Sequence, residues 1–130
     1  MQNAECKVQN DIAKNENAAV DKSFEFAVRI VNLSKYLMQE HKEYVLSKQL
    51  LRCGTSIGAN IAEAQRGQSK ADFISKMSIA LKEANEAHYW LRLLHRTNYL
   101  TASQFDSMNK DIQEILGILT AICKTANQIK

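Results

Sequence analysis

Residues 72–94 read DFISKMSIALKEANEAHYWLRLL, and this stretch decides the fold. Phe73, Met77, Ala80, Leu81, Ala84, Ala87, His88, Leu91 and Leu94 return every three or four residues, the period of one face of an α-helix. Ile74, Tyr89 and Trp90 widen that face sideways. Asp72–Lys76 and Lys82–Glu86 are opposite charges four residues apart, each worth about 0.3 kcal/mol on a helix surface. Ser69, three residues before Asp72, has the spacing of an N-terminal cap, and an acidic first turn suits the helix dipole. The helix is expected to fade near Thr97 and Asn98.

The same period continues on both sides. Upstream, Phe26, Ile30, Leu33 and Leu37 predict a helix over 23–39, with Ala27, Val31, Ser34 and Met38 as its flank and Asp21 or Ser23 as its cap. The polar run Glu40-His41-Lys42-Glu43 reads as a turn. A second helix is predicted over 44–66 from Leu46, Leu50, Cys53, Ile57, Ile61 and Ala64, with Gly67 as its stop. Downstream, Thr101 and Gln104 form a capping box ahead of Phe105, Met108, Ile112, Ile115, Leu119, Ile122 and Ala126. Leu116, Ile118 and Cys123 widen that last apolar face beyond what a plain bundle needs. The excess is expected to meet the N-terminal segment or another subunit.

Among 130 residues there is no proline and only four glycines, which suits long unbroken helices. Four helices with short links give an all-α, antiparallel up-down-up-down four-helix bundle over 21–127. Residues 1–20 are rich in Asn, Ala and Gln, and Val8 and Ile12 supply little apolar surface. They read as a flexible or short-helical N-terminal extension, because little burial offsets the entropy of ordering them.

Net charge is +3, concentrated in the middle of the chain: residues 29–96 carry eleven Lys/Arg against six Asp/Glu. Any polyanion site is therefore expected there. Cys6, Cys53 and Cys123 have neither paired nor metal-ligand spacing, which fits a reducing, cytoplasmic setting. No secretory leader and no membrane-spanning run is readable. A di-iron bundle needs Glu-x-x-His pairs on facing helices, and this chain has none, so no metal and no cofactor is expected. No nucleophile has a readable base beside it, and no glycine-rich phosphate loop follows a strand, so no enzyme activity is expected.

The chief polar feature is on the second helix. Lys48, Arg52, Ser56, Ala59, Glu63 and Arg66 follow three- and four-residue steps, and such a stripe suits phosphates. Arg29 on the first helix and Arg92 and Arg96 on the third extend it, together with Lys35. The same pattern also fits a solvated face paired to acids of neighbouring helices. Gly54 and Gly58 lie one turn apart beside Ala59, and their bareness predicts close approach of another helix, within the chain or from another subunit. Asn60 and Ser56 are polar among small residues and suit hydrogen bonding across such a contact. Tyr89 and Trp90 point in adjacent directions, one toward the core and one toward an interface, unless both complete the core.

The segments FEFAVRIVNLSKYL (24–37), LSKQLLRCGTSIGANIAEA (46–64) and 72–94 closely resemble the small bacterial four-helix bundle family first noted in intervening sequences of large-subunit ribosomal RNA. The resemblance covers about residues 22–125. Cys53 stands where the family usually has serine, and His88 where threonine or another small residue is usual. The chain is similar also to accessory proteins of diversity-generating retroelements, which form pentameric rings and bind nucleic acid. These resemblances imply a homo-oligomer, a pentamer, with RNA or DNA as partner. They make Lys48, Arg52 and Arg66 candidates for nucleic-acid contact and Gly54, Gly58 and Ala59 candidates for close packing. The alternative is a structural or protein-interaction adaptor for a neighbouring gene's product, without nucleic-acid binding.

Overall fold

The computed structural model describes the backbone of residues 4–128 and the side chains of residues 13–127. Four helices follow one another: α1 (Ala4–Glu40), α2 (Leu46–Gln65), α3 (Lys70–Arg96) and α4 (Ala102–Gln128). Each packs on its neighbours in the order α1–α2–α3–α4 and back to α1, an up-down-up-down bundle. The core is built from the expected faces. Phe26, Ile30, Leu37, Leu50, Ile57, Ile61, Met77, Leu91, Leu94, Ile112, Ile115 and Leu119 are fully buried.

The helix starts divide into those the sequence announces and those it does not. Ser69 accepts a hydrogen bond from the Asp72 amide at 3.1 Å. Thr101 and Gln104 make the reciprocal capping box, at 2.8 and 3.1 Å. In contrast, neither Asp21 nor Ser23 caps α1, because the helix runs unbroken from Ala4 through both. Ser23 is buried inside it and donates to the Val20 carbonyl at 3.2 Å. From Glu16 onward the residues upstream of Asp21 and Ser23 are tied to the bundle. Ala19 enters the core, Glu16 accepts from the Gln65 side chain at 3.2 Å, and Lys22 pairs with Glu114 at 2.6 Å on α4. The side chains of Cys6, Val8 and Ile12 lie outside the described residues.

The start of α2 uses a cap absent from the sequence reading. Glu43 is buried, and its carboxylate accepts from the amides of Val45, Leu46 and Ser47 at 3.1, 2.9 and 2.7 Å. Ser47 answers by donating its hydroxyl to the Glu43 carbonyl at 2.7 Å. Burial alone would push the Glu43 carboxyl up, but the amides of Leu46, Ser47 and Val45 outweigh it and hold it below the ordinary 4.5. Lys42 and Asn98 take the left-handed conformation in the two turns at this end of the bundle. At Asn98 the amides of Tyr99 and Asn98 donate to the carbonyls of Leu94 and His95, the paired bonds of a Schellman stop.

The surplus apolar face of α4 is half-buried. Leu116, Ile118 and Cys123 pack against the core. Among the described residues, the surplus is on α1 instead: Val20, Phe24, Val28 and Val31 are exposed at three- and four-residue steps.

Candidate functional site

The glycines of α2 meet α1 of the same chain. A Cβ on Gly54 would lie 2.8 Å from two carbons of Ile30, so the helices touch there only because the side chain is missing. Gly58 faces Ser23 at ordinary contact distance. Ala59 is exposed beside them, and Asn60 donates to the Ser56 carbonyl one turn back at 2.8 Å rather than across the contact. Ala59, Ala62, Thr55 and Gly58 of α2 line an apolar groove of about 580 Å³ with Val20, Phe24 and Ala27 of α1.

The basic stripe on α2 is interrupted in the structure. Arg52 forms ion pairs with Glu83, at 3.2 Å, and with Glu86, both on α3. Glu86 also accepts from the Trp90 indole at 3.2 Å, so one carboxylate ties α2 to the half-buried tryptophan. Glu63, further along the stripe, pairs with Lys76 at 2.7 Å. Arg29 turns to α4, where it pairs with Asp111 and donates to the Ser107 hydroxyl at 2.7 Å. Lys48 and Arg66 are exposed at opposite ends of α2, about 27 Å apart at helical rise. The stripe therefore has answered charges in its middle and open charges at its ends.

Arg92 and Arg96 behave differently. Both are exposed, and among the described residues no carboxylate pairs with either. With Tyr89, Leu93, His95 and Phe105 they line a depression of about 370 Å³ where α3 meets the start of α4. Tyr89 is 53% exposed and lies T-shaped to Trp90, ring centroids 5.1 Å apart. His95 and Phe105 stack face to face at 4.6 Å, with 12° between their planes. The capping box at Thr101 places Phe105 in the first turn of α4, where it meets His95 of the last turn of α3. Tyr89, Arg92 and Arg96 share one face through their three- and four-residue spacing. Sequence reasoning marked these three but not Phe105 and His95. Their signal was an aromatic following the capping box and a histidine closing α3.

Among the described residues no acid–base or nucleophile pair is assembled. Burial, reinforced by the Glu86 carboxylate, pushes the Cys53 thiol up to about 12, so it stays protonated and inert. Burial also raises the Cys123 thiol. His88 contacts Gln113 of α4 at 3.2 Å, and burial followed by the Arg92 charge lowers its basicity. Among the described residues no group of three or more His, Cys, Asp and Glu could hold a metal ion, and no helix is long and apolar enough to cross a membrane.

Comparison with known proteins gives the same fold and a family. Residues 4–121 match the family described as 23S rRNA-intervening sequence protein. The chain belongs to that family. A crystal structure from Bacteroides thetaiotaomicron, of a protein of unknown function from the S23 ribosomal protein family, is 61% identical in sequence. It covers 85% of this chain and 98% of its own, with a TM-score of 0.83. No curated protein matches. The family relationship thus brings the bundle with it and leaves function to be read from the site.

Proposed function

We propose that this member of the family is a non-catalytic, self-associating bundle that binds RNA or DNA through the arginine–aromatic patch at the C-terminal end of α3. The observation that carries the reading is the Arg92/Arg96 pair. Two like charges one turn apart repel, so a structure that answers Arg29 and Arg52 with carboxylates but not these two leaves them for an anion from outside. Lys48 is exposed and, among the described residues, forms no ion pair, so it adds open positive charge on α2.

Anisotropy titration of labelled RNA and DNA at two salt concentrations tests the reading. Binding in the range of about 1–100 μM is expected, falling steeply with salt as counterions are released. The double substitution Arg92→Glu with Arg96→Glu is expected to abolish it at low salt. Unchanged binding by that variant would defeat the patch.

Self-association, as the pentamer that the resemblance implies, is part of the same reading and is supported by the exposed stripe Val20, Phe24, Val28 and Val31. The groove beside Phe24 also favours a second reading, an adaptor that seats another protein there.

A further inference from the structure

We infer that the patch takes single-stranded rather than duplex nucleic acid, with one base laid against the Tyr89 ring and the neighbouring phosphates on Arg92 and Arg96. This rests on the nucleic-acid reading above and narrows it to one class of ligand. Three features of the depression carry it.

First, Tyr89 is a large aromatic held in place without being covered. Its T-shaped contact with Trp90 orients the ring, and Trp90 is itself fixed by its bond to Glu86, yet 53% of Tyr89 faces solvent. An aromatic face can stack only on a base whose own face is open, and duplex bases are already stacked on both sides. Second, the hollow is small and partly walled by rings. About 370 Å³ lies between Tyr89 and the His95–Phe105 stack, at the lower end of the size of small-molecule sites, which is the scale of one nucleotide and far below that of a duplex. Third, the helix that carries the arginines does not stand free. The major groove admits one helix, and α3 is flanked along its length by α2 on one side and α4 on the other. What the surface offers is one ring with cations three and seven residues further along the same helix face. That is the combination of stacking platform and phosphate clamp used for single strands. Asp106, next to Phe105, forms no ion pair with either arginine and leaves the clamp cationic.

The test uses the full chain and four probes: oligo(U), oligo(dT), a DNA duplex of the same length, and inorganic polyphosphate, which has charge but no bases. Trp90 is the single tryptophan, so its fluorescence reports occupancy beside Tyr89. The single strands are expected to bind at least about tenfold tighter than the duplex, and Tyr89→Ala to weaken them between fivefold and a hundredfold, roughly the range of one base–aromatic stack. Tyr89→Phe is expected to restore single-strand binding, and polyphosphate binding is expected to ignore both substitutions. Comparing oligo(U) with oligo(dT) separates RNA from DNA as the natural source. Equal binding of single strand and duplex, both weakened by Arg92→Glu/Arg96→Glu and neither by Tyr89→Ala, would overturn this inference while leaving the broader reading in place. No binding of any probe at low salt would overturn both.

Discussion

Glu43 shows how much one side chain can contribute at a helix start. Its carboxylate satisfies three amides that would otherwise end α2 unpaired, and it does so from inside the protein. Because its folded pKa lies below the ordinary 4.5, the unfolded chain takes up its proton first as pH falls. The stabilisation is therefore complete above about pH 4.5 and is lost as pH drops through the lowered value. Glu43→Gln keeps an acceptor but not the charge. It is expected to cost about 1–2 kcal/mol at pH 7, and to flatten the fall in stability below about pH 4.5. Urea unfolding at a series of pH values checks both. An unchanged acid limb would mean that another carboxylate governs it. His88 acts in the same direction at higher pH, since burial and Arg92 favour its neutral form in the folded state.

Among the elements, α2 is the most constrained by its neighbours. At Gly54 a methyl group would strike Ile30 at 2.8 Å, whereas at Gly117 on α4 nothing lies within 4 Å of the added carbon. The two glycines have the same intrinsic helix cost, about 1 kcal/mol relative to alanine. Their substitutions are nevertheless expected to have opposite signs. Gly117→Ala should raise unfolding free energy by up to about 1 kcal/mol. Gly54→Ala should lower it by about 1–2 kcal/mol, overpacking outweighing the propensity gain. Removing both clashing γ carbons with Ile30→Ala should cost less in the Gly54→Ala background than in the wild type, a coupling that a double-mutant cycle in denaturant would measure. Additive effects would argue that α1 and α2 are free to move apart. Over residues 16–22 α1 is likewise held by its neighbours, Glu16 meeting Gln65 of α2 and Lys22 meeting Glu114 of α4.

For the molecule as a whole, the outer surface divides into two regions of different chemistry. One end carries the Tyr89–Arg92–Arg96 patch, and the α1–α2 side carries an apolar stripe in which Phe24 is 66% exposed. A ring needs two different faces on each subunit, since a head-to-tail contact repeats until it closes. The stripe is the face whose loss is expected to break assembly. In the proposed assembly Phe24→Asp should lower the mass to that of a monomer, read by multi-angle light scattering, while leaving helical content unchanged because Phe24 is mostly exposed. A wild-type protein that is monomeric at high concentration would defeat self-association and favour the adaptor reading of the groove.

The sequence by itself determined the four helices, their order and most of the core, because period, caps and the absence of proline are local properties of the chain. Ser69, Thr101 and Gln104 cap where their spacing says they should, and Leu50, Ile57, Leu91 and Ile112 are buried where their period puts them. Only the tertiary structure showed that α1 runs on through Asp21 and Ser23, where Ser23 is buried and Lys22 reaches Glu114 of α4. Only the tertiary structure decided which cations are answered. Arg52 and Arg92 look alike along the chain, but Arg52 faces two glutamates of the next helix while Arg92 faces an aromatic hollow. Charge pairing between helices depends on register, and register is set by how side chains such as Ile30 fit the bare backbone at Gly54. That fit is a property of surfaces brought together in space, and no spacing within one helix records it.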